Sequence, residues 1–402
     1  MTPRVAFFTD SFHEVNGVAL TSREFVSFAA RRNYPFFSVH AGPETAYQRQ
    51  DAIETFEIAN SPAILGLERD LAFDLMFYRH RNRIRSKLRE FRPDLIHVTG
   101  LSHAGMLGAI LAYDLKVPLV ASWHTNIHDY AARRLEPALQ WLGKSRQRAI
   151  ANFAQKQSLN LTLRFYKLAR MTYAPNPELV EMLATRTGLP AYLMARGIDT
   201  RLFSPQRRSR RGGDFVIGFV GRLSPEKDVR LLAALERGLL ERGVGDCRFV
   251  IVGDGSERPW LSQNLQRADF TGVLSGEALA NAYANMDAFV FPSQTDTFGN
   301  VILEAMASGV PVVVSNEGGP KYLVVPGKNG FVARTEGDFV DAAIDLRSNP
   351  DLRERMASHA RAAAMLHSWD SVFENVYSRY DGVLSAGWNR MLQPQMPLVL
   401  AP

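Results

Sequence analysis

Short apolar segments alternate with amphipathic helical segments along nearly the whole chain, and this alternation constrains the fold more than any other feature. The segments of the first half that have the composition of buried strands are Val5–Thr9, 36–40, Leu95–Val98 and Leu119–Ser122. Residues with helical periodicity, such as 20–32 and 105–115, separate them. Because consecutive parallel strands need a crossover between them, the pattern predicts a parallel sheet covered by helices on both faces.

The same pattern restarts after residue 213, which predicts a second sheet. Its strands are expected at Phe215–Val220, 248–252, Ala288–Phe291 and 311–315. Between the two halves, residues 204–213 are polar, basic and rich in turn formers, as a linker would be. Since a chain of 402 residues exceeds what a single hydrophobic core usually organises, we predict an α/β protein with two doubly wound Rossmann-like domains.

The domain boundaries follow from where the pattern breaks. We place the first domain at residues 1–196 and the second at 197–368. A strong helix with apolar side chains along one side is predicted next, within residues 369–390, and a disordered tail at 391–402. Doubly wound sheets bind ligands at the carboxyl ends of their strands, so the residues that follow each strand are the candidates for a functional site.

The composition is typical of a cytoplasmic globular protein. Hydrophobic residues make up 46% and charged residues 22% of the chain, and Cys247 is its single cysteine. No disulfide can form within the chain, which predicts a reducing environment. The apolar run at residues 5–8 is too short for a signal peptide, and no uninterrupted apolar run reaches the ~20 residues that span a bilayer.

Positive charge is concentrated in the first half, where residues 1–196 carry a net charge of +8 and residues 197–402 carry −2. A run of seven cations with one acid extends from Arg79 to Arg92. Such a run is either a solvated helix face or a surface attracted to an anionic membrane or a nucleic acid. Because aromatic residues do not alternate with these charges, we expect no nucleic-acid partner.

Two carboxylates, Asp296 and Glu304, lie across a predicted junction between a loop and a helix. Gly299 and Asn300 open this helix, and Gly309 ends it. Glu304 lies on a mostly apolar stripe, where an ionised carboxylate costs free energy unless a partner compensates. The partner would be a hydroxyl-bearing ligand at the helix N-terminus, or else a neighbouring Arg in an ordinary buried helix.

Two cations, Arg222 and Lys227, directly follow the predicted strand at 215–220. At the carboxyl end of a strand, a planar guanidinium and a compact ammonium group can clamp a diphosphate. The alternative is a surface salt bridge with Glu226 or Asp228.

Three further residues follow predicted strands. Gly17 precedes a helix whose N-terminal N–H groups would face an anion. Gly253 belongs to a glycine turn, but the third glycine of a dinucleotide fingerprint is absent, so we expect no NAD site. A lone histidine such as His124 is usually structural, whereas in a ligand cleft it would hydrogen-bond a sugar hydroxyl or a leaving phosphate.

Taken together, these motifs resemble those of the retaining glycosyltransferases of family 4. Asp296 and Glu304 match the family's acidic-x7-Glu motif, and residues 221–227 match its Gly-Arg-Leu-x-x-Glu-Lys segment. Further matches lie at residues 16–18, 196–199, 270–273, 318–319 and 326–331. The resemblance extends from about residue 5 to residue 384 and implies the glycosyltransferase B (GT-B) fold. In that fold an acceptor-binding first domain and a nucleotide-sugar-binding second domain face each other across a cleft, and the helix at 369–390 crosses back to the first domain.

The resemblance also implies the reaction and the roles of the residues. A hexose would move from a nucleotide diphosphate sugar to an acceptor hydroxyl with retention at the anomeric carbon. Arg222, Lys227 and the helix N-terminus at Gly17 would stabilise the leaving diphosphate, while Asp296 and His124 would orient the sugar. Glu304 would bind the ribose. The other residues expected to bind the donor are Gly221, Gly253, Val273, Phe298, Gly299 and Asn300. Most family members carry Glu in place of Asp296, a difference that we interpret as donor tuning.

The donor and the acceptor are less constrained than the reaction. Residues 218–223 and 276–284 resemble GDP-mannose-dependent α-mannosyltransferases, whereas residues 122–125 resemble sulfoquinovosyl-diacylglycerol synthases. We therefore favour GDP-mannose and keep a UDP-sugar as the alternative. The acceptor is expected to be a lipid or a glycan, and the Arg79–Arg92 run would bring the protein to the cytoplasmic face of an anionic membrane.

No metal or other cofactor is required by the sequence, because it contains no Asp-x-Asp pair and no His/Cys cluster with metal-ligand spacing. Three other functions stay open. They are a nucleotide-sugar epimerase on the same architecture, a basic nucleic-acid-binding protein and a catalytically silent protein that binds sugar nucleotides. The coupling of the acidic-x7-Glu motif with the Gly-Arg-Leu-x-x-Glu-Lys segment favours the transferase over all three.

Overall fold

The computed structural model describes residues 2–14, 16–59, 61, 64–68, 71–74, 76–124 and 144–385. The chain divides into two compact units, Met1–Ala195 with Trp369–Pro402, and Arg196–Ser368. Residues 386–402, which include the predicted disordered tail and the end of the predicted terminal helix, lie outside the described residues.

The first unit is built around a large, mostly parallel sheet. Its strands are β1 (Val5–Thr9), β2 (Phe36–Gly42), β3 (Ala46–Gln50), β4 (Ile53–Ala59), β5 (Ile64–Glu68), β6 (Leu71–Asp74), β7 (Leu95–Val98), β8 (Leu119–Ser122), β9 (Met171–Ala174) and β10 (Ala191–Leu193). Its helices are α1 (Gly17–Arg31), α2 (Arg81–Phe91), α3 (His103–Leu115), α4 (Lys144–Tyr166), α5 (Pro177–Thr187) and α12 (Trp369–Ser385). The strand order is β10-β9-β8-β7-β1-β2-β4-β3, and β5 and β6 form a separate antiparallel pair.

One edge of this sheet departs from the predicted parallel arrangement. Strand β3 pairs with β4 in antiparallel register through a two-residue turn, in which Asp51 adopts a left-handed conformation with φ of 52°. The side chains of β3 are partly or fully exposed. An edge strand with one solvated face does not need the continuous apolar composition of a buried parallel strand, so the polar segment 46–50 carried no strand signal.

Helix α12 packs on the core of the first unit, although the whole second unit precedes it in sequence. Phe373 stacks on Phe25 of α1, with ring centroids 4.4 Å apart and planes inclined by 7°. The hydroxyl of Tyr380 lies 2.7 Å from Nδ1 of the buried His97 on β7. Because aromatic side chains bury large apolar areas, these contacts make α12 part of the first unit's core.

The second unit is a doubly wound parallel sheet. Its strands are β11 (Phe215–Val220), β12 (Cys247–Val252), β13 (Ala268–Gly272), β14 (Ala288–Phe291), β15 (Val312–Ser315) and β16 (Gly330–Ala333). Its helices are α6 (Leu231–Glu241), α7 (Arg258–Asn264), α8 (Gly276–Ala284), α9 (Asn300–Ala307), α10 (Glu336–Ser348) and α11 (Pro350–Met365). The order β13-β12-β11-β14-β15-β16 reverses its direction between β11 and β14.

The predicted fold class is confirmed, since each unit carries a parallel α/β sheet. The strands predicted in the second half agree with β11, β12, β14 and β15 to within one residue. In the part of the chain that the structure describes, we find no helix with the length and apolar character needed to cross a lipid bilayer.

Candidate functional site

The candidate site lies at the carboxyl edge of the second sheet, where the strand order reverses. Such a reversal leaves a crevice, because the connections from the two neighbouring strands diverge to opposite faces of the sheet. The loop after β11 carries Arg222 and Lys227, and the loop after β14 carries Asp296. The topology therefore brings together two segments that are distant in sequence and that the motifs had singled out separately.

Glycines allow the loops after β11 and β12 to touch. Gly253 has a φ of 135°, and a Cβ atom built on it would lie 1.9 Å from the carbonyl oxygen of Gly221. The N–H of Gly221 donates to the carbonyl of Val252 at 3.0 Å. No residue with a side chain fits at position 253 without moving backbone, so this glycine is required by packing at the strand tips.

Lys227 and Asp296 form the central ion pair of the site. The ammonium group lies 2.6 and 2.7 Å from the two carboxylate oxygens, and both side chains are about one-fifth exposed. Lys227 ends a 3-10 helix, Pro225–Lys227, which follows the loop after β11. The salt bridge observed for Lys227 is with Asp296, in place of the Glu226 or Asp228 partner that the sequence offered as the alternative.

The loop that carries Asp296 is held from two sides. The hydroxyl of Thr295 donates to the carbonyl of Glu226 at 3.1 Å. The N–H of Gly319 donates to the carbonyl of Asp296 at 2.7 Å, and a Cβ on Gly319 would lie 1.9 Å from the carbonyl oxygen of Thr297. The glycines at 318–319 thus support the Asp296 loop from the β15 side.

Helix α9 begins as predicted, at Asn300 after Gly299, whose φ of 88° is left-handed. The sequence suggested a single apolar stripe, but the set of buried residues on α9 is different, because the helix packs against strands β14 and β15 and against helices α8 and α11. The buried residues are Ile302, Leu303, Ala305, Met306 and Ala307. Glu304 and Val301 instead lie on the less buried side of the helix.

The carboxylate of Glu304 has a tyrosine as its partner. The hydroxyl of Tyr283, on α8, donates to Oε2 of Glu304 at 2.7 Å. Burial raises the pKa of Glu304 to about 7, and the hydrogen bond from Tyr283 offsets only part of this effect. The arginine partner offered as the ordinary alternative is thus replaced by a neutral donor, which the sequence did not identify. The only signal for Tyr283 is its place in the 276–284 segment.

Other predicted donor-binding residues differ in their exposure. Phe298 is buried, with the Arg196 guanidinium carbon 6.0 Å from its ring centroid. Val273, which follows β13, is 65% exposed. Arg222 is partly buried. Phe298 therefore supports the wall of the site, whereas Val273 presents its side chain to solvent.

His124 and Gly17 belong to the first unit, where each follows a central strand. His124 is buried after β8, and its Nε2 lies 2.7 Å from the hydroxyl oxygen of Ser122. Gly17 opens α1, and the side chain of Asn16 caps this helix by accepting from the N–H of Ala19 at 2.8 Å. Both residues thus lie at the carboxyl edge of the first sheet.

The basic run consists of a 3-10 helix followed by α2, and part of its charge is compensated. Arg79 pairs with Asp74 at 3.1 Å, and Arg81 pairs with Asp114 at 2.6 Å. Arg83, Arg89 and Arg92 are exposed. Arg79 and Arg81 are thus explained as ion-paired residues of a solvated helix face. The three exposed arginines are the ones available to an anionic surface.

The fold and the site together define a glycosyltransferase with two Rossmann-like units. The description "Glycosyltransferase Family 4" matches residues 15–202, and "Glycosyl transferases group 1" matches residues 214–349. The chain is 34% identical to a GDP-mannose-dependent alpha-mannosyltransferase of Mycobacterium tuberculosis over 312 residues, which are 75% of this chain and 76% of that protein. The chain therefore belongs to glycosyltransferase family 4, as its motifs indicated.

Two other similarities extend this assignment. A sulfoquinovosyl transferase of Arabidopsis thaliana is 31% identical over 309 residues, which are 71% of this chain and 56% of that protein. The crystal structure of Anabaena HepE in complex with UDP and glucose superposes with a TM-score of 0.65 and 20% identity, covering 94% of this chain and 99% of that one. The second similarity concerns the fold alone.

Proposed function

We propose that the chain transfers mannose from GDP-mannose to a hydroxyl group of a lipid or glycan acceptor, with retention at the anomeric carbon. The observation that carries this proposal is the pairing of Lys227 with Asp296 at the strand reversal, in a chain that resembles an α-mannosyltransferase over three quarters of its length. A cation and a carboxylate held together at that edge offer one group for a diphosphate and one for sugar hydroxyls.

The first step of the proposed mechanism concerns the leaving group. As the bond between the anomeric carbon and the diphosphate oxygen breaks, negative charge grows on the diphosphate. Arg222 and Lys227 stabilise that charge, and they supply the positive charge that a divalent cation would otherwise provide. Because Lys227 is already held by Asp296 at 2.6 Å, little reorganisation is needed when the donor binds.

The second step concerns the sugar and the acceptor. The acceptor hydroxyl attacks the anomeric carbon on the face from which the diphosphate leaves, and its proton passes to a departing phosphate oxygen. Asp296 accepts hydrogen bonds from sugar hydroxyls. For His124 and Gly17 we keep the roles that the family resemblance implies, orientation of the sugar and stabilisation of the diphosphate.

Glu304 is proposed to bind the ribose of the donor. Its Oε2 is occupied by Tyr283, so the other carboxylate oxygen is the one that a ribose hydroxyl would reach. The partly exposed side of α9 is where such a hydroxyl would approach. A carboxylate that accepts two hydrogen bonds from hydroxyl groups is better compensated than one that accepts a single bond.

The first experiment is a thermal-shift panel with GDP, UDP and ADP and their sugar conjugates, followed by turnover with the conjugate that stabilises most. We expect GDP-mannose to give the largest shift and an α-linked product, detected by NMR of the anomeric proton. A ligand that binds only the folded state stabilises by about 2.7 kcal/mol at a hundredfold excess over its Kd. The absence of a shift with every nucleotide would overturn the transferase proposal.

The phosphate clamp is tested separately with Arg222→Ala. We expect kcat to fall by about 100-fold with a smaller change in KM, because the arginine acts mainly on charge that develops in the transition state. Arg211→Ala, which removes an exposed cation of the same unit, should leave both constants unchanged. Full turnover by Arg222→Ala would show that the arginine does not stabilise the leaving group.

A UDP-sugar-dependent glycolipid synthase is the second candidate function. It is favoured by the 31% identity to the sulfoquinovosyl transferase and by the Ser-Trp-His-Thr sequence at residues 122–125. In the ligand panel this candidate predicts stabilisation by UDP and its conjugates in place of GDP.

A lipid acceptor, with the protein peripheral on the cytoplasmic face of an anionic membrane, is proposed from the exposed arginines of the Arg79–Arg92 run. Sedimentation with vesicles at low salt should show binding to anionic but not neutral lipid. Arg83→Glu/Arg89→Glu should lose this binding, whereas the exposed control Arg355→Glu should keep it. No difference in sedimentation between the two vesicle types at low salt would refute the proposed attraction to an anionic membrane.

A further inference from the structure

Three side chains with metal-binding atoms converge at the carboxyl edge of the first sheet. His13 lies in the loop after β1, His40 on β2 and Glu57 on β4, and their ligand atoms all lie within 4.8 Å of one another. Nε2 of His13 is 3.7 Å from Oε1 of Glu57, and Nε2 of His40 is 3.9 Å from Oε2. The three residues come from separate segments, so no spacing pattern in the sequence reveals them.

Among the described residues, no hydrogen bond compensates the burial of one oxygen of the Glu57 carboxylate. Its Oε1 is buried and makes no hydrogen bond with the described residues. A Cβ built on Gly42 would lie 1.8 Å from the same oxygen, so backbone passes directly against the carboxylate. A buried carboxylate oxygen without a hydrogen bond is costly, and a bound cation would remove that cost.

The ring of His40 is oriented so that one nitrogen points to this carboxylate. Its Nδ1 lies 3.1 Å from the hydroxyl oxygen of Ser38, and this contact leaves Nε2 facing Glu57. Phe12 stacks on the ring, with centroids 3.8 Å apart and planes inclined by 11°. A ligating histidine usually donates its second N–H to an oxygen, which fixes the tautomer that offers the other nitrogen to the metal.

The loop that carries His13 is anchored. The guanidinium of Arg23, on α1, donates to the carbonyl of Phe12 and, at 3.3 Å, to the carbonyl of Glu14. The N–H of Phe12 donates to the Glu14 carboxylate at 2.8 Å. The side chain of His13 is half exposed, in contrast to the buried His40, so the cluster opens to solvent on the His13 side.

We propose that His13, His40 and Glu57 bind one divalent transition-metal ion of the zinc class, with a fourth position open to water on the His13 side. In a tetrahedral site with bonds of about 2.1 Å, neighbouring ligand atoms are about 3.4 Å apart. The histidines lie 3.7 and 3.9 Å from different oxygens of the carboxylate, and the three ligand atoms lie within 4.8 Å of one another, so the side chains must contract by up to about 1.4 Å around the ion. Two imidazoles with one carboxylate suit Zn²⁺ or Fe²⁺ better than Mg²⁺ or Ca²⁺, which prefer oxygen ligands.

The three ligand residues belong to the first unit, whereas Arg222 and Lys227 belong to the second. The inference does not depend on the donor, the acceptor or the transfer reaction. The readout is therefore metal binding itself, which is measured in the absence of any nucleotide.

The test uses the full chain, with any polyhistidine tag removed, stripped with EDTA and titrated with Co²⁺ and then Zn²⁺. We expect one equivalent of Co²⁺ to produce visible d–d absorption bands that Zn²⁺ abolishes. Glu57→Gln and His13→Ala should lose the bands. Ser38→Ala, which removes only the contact behind His40, should weaken binding by about 10- to 100-fold. His359→Asn, at an exposed histidine of the second unit, should bind as the parent chain does.

Two results would overturn the proposal. One is the absence of stoichiometric binding by the parent chain. The other is undiminished binding by Glu57→Gln and His13→Ala, which would place the ion elsewhere. Thermal unfolding in EDTA shows whether each variant is folded. Because His13 lies in a loop and is half exposed, His13→Ala keeps the test decisive if the Glu57 variant fails to fold.

Discussion

Replacing Glu304 by Gln should stabilise the folded chain above neutral pH, although it removes a residue proposed to bind the donor. Burial raises the pKa of Glu304 from the ordinary value of 4.5 to about 7. The folded state therefore holds this proton more tightly than the unfolded state does. Below about pH 4.5 the group is protonated in both states and costs nothing, and the cost grows as the pH rises to about 7.

The size of the stabilisation follows from the difference between the ordinary pKa of Glu304 and its pKa in the folded chain. Each pH unit between the two values changes the free energy of unfolding by about 1.4 kcal/mol, which gives an upper limit of about 3 kcal/mol. Glu304 keeps part of its surface exposed, so solvent screens the charge and we expect about 2 kcal/mol. The carbonyl oxygen of Gln can still accept the hydrogen bond from Tyr283, so no new unsatisfied group is created.

The measurement is urea unfolding of both chains at pH 5 and pH 8. Differences in midpoint, multiplied by the common slope, give the change in free energy. Glu304→Gln should exceed the parent chain by only about 0.5 kcal/mol at pH 5 and by about 2 kcal/mol at pH 8. As the control, Glu241→Gln removes an exposed carboxylate at the end of α6 and should change stability by less than about 0.5 kcal/mol at either pH.

An equal loss of stability between pH 5 and pH 8 in the parent chain and in Glu304→Gln would refute the reasoning. It would mean that the carboxylate is already compensated in the protein without its ligand. The same variant should respond less to the donor nucleotide in the thermal-shift assay, because an amide is a weaker acceptor for ribose hydroxyls than a carboxylate.

Two further changes test the strand tips and the ion pair. Gly253→Ala should lower the free energy of unfolding in urea by about 2 kcal/mol or more, because the added methyl group meets the Gly221 carbonyl. The control Gly245→Ala should be nearly neutral, because this glycine has open space around it and no left-handed backbone. Equal effects of the two substitutions would contradict the packing argument. Lys227→Met should reduce kcat/KM for the donor by about 100-fold in initial-rate assays, and an unchanged value would show that the ion pair with Asp296 is structural only.

The sequence predicted the fold well where burial dictates composition. Strand β11 is buried along its whole length, so its residues are nearly all apolar and its limits at 215 and 220 can be read directly. Strand β3 is an edge strand, and its segment 46–50 is polar and largely exposed. Its pairing depends on the turn at Asp51 and on β4, which local periodicity does not report.

The site was predicted in parts, not as a whole. Motifs identified Lys227 and Asp296 as separate functional candidates, but their ion pair arises from strand order, which places the β11 and β14 tips side by side. Tyr283 was missed because a tyrosine in an apolar helix is usually a core residue, and only the packing of α8 against α9 brings it to Glu304. Contacts between distant segments are fixed by topology, so they have no signature at short range.

Helix α12 has a consequence for the order in which the chain acquires its structure. The ribosome makes this helix after all of the second unit, yet Phe373 and Tyr380 complete the apolar core around Phe25 and His97. Domains fold as units as they emerge. During synthesis the core of the first unit therefore stays incomplete until α12 is made, and an apolar face of its sheet stays uncovered. The second unit can fold in one piece. A nascent chain stalled before residue 369 would expose that apolar face, and chaperones that recognise apolar surfaces would bind it at that stage.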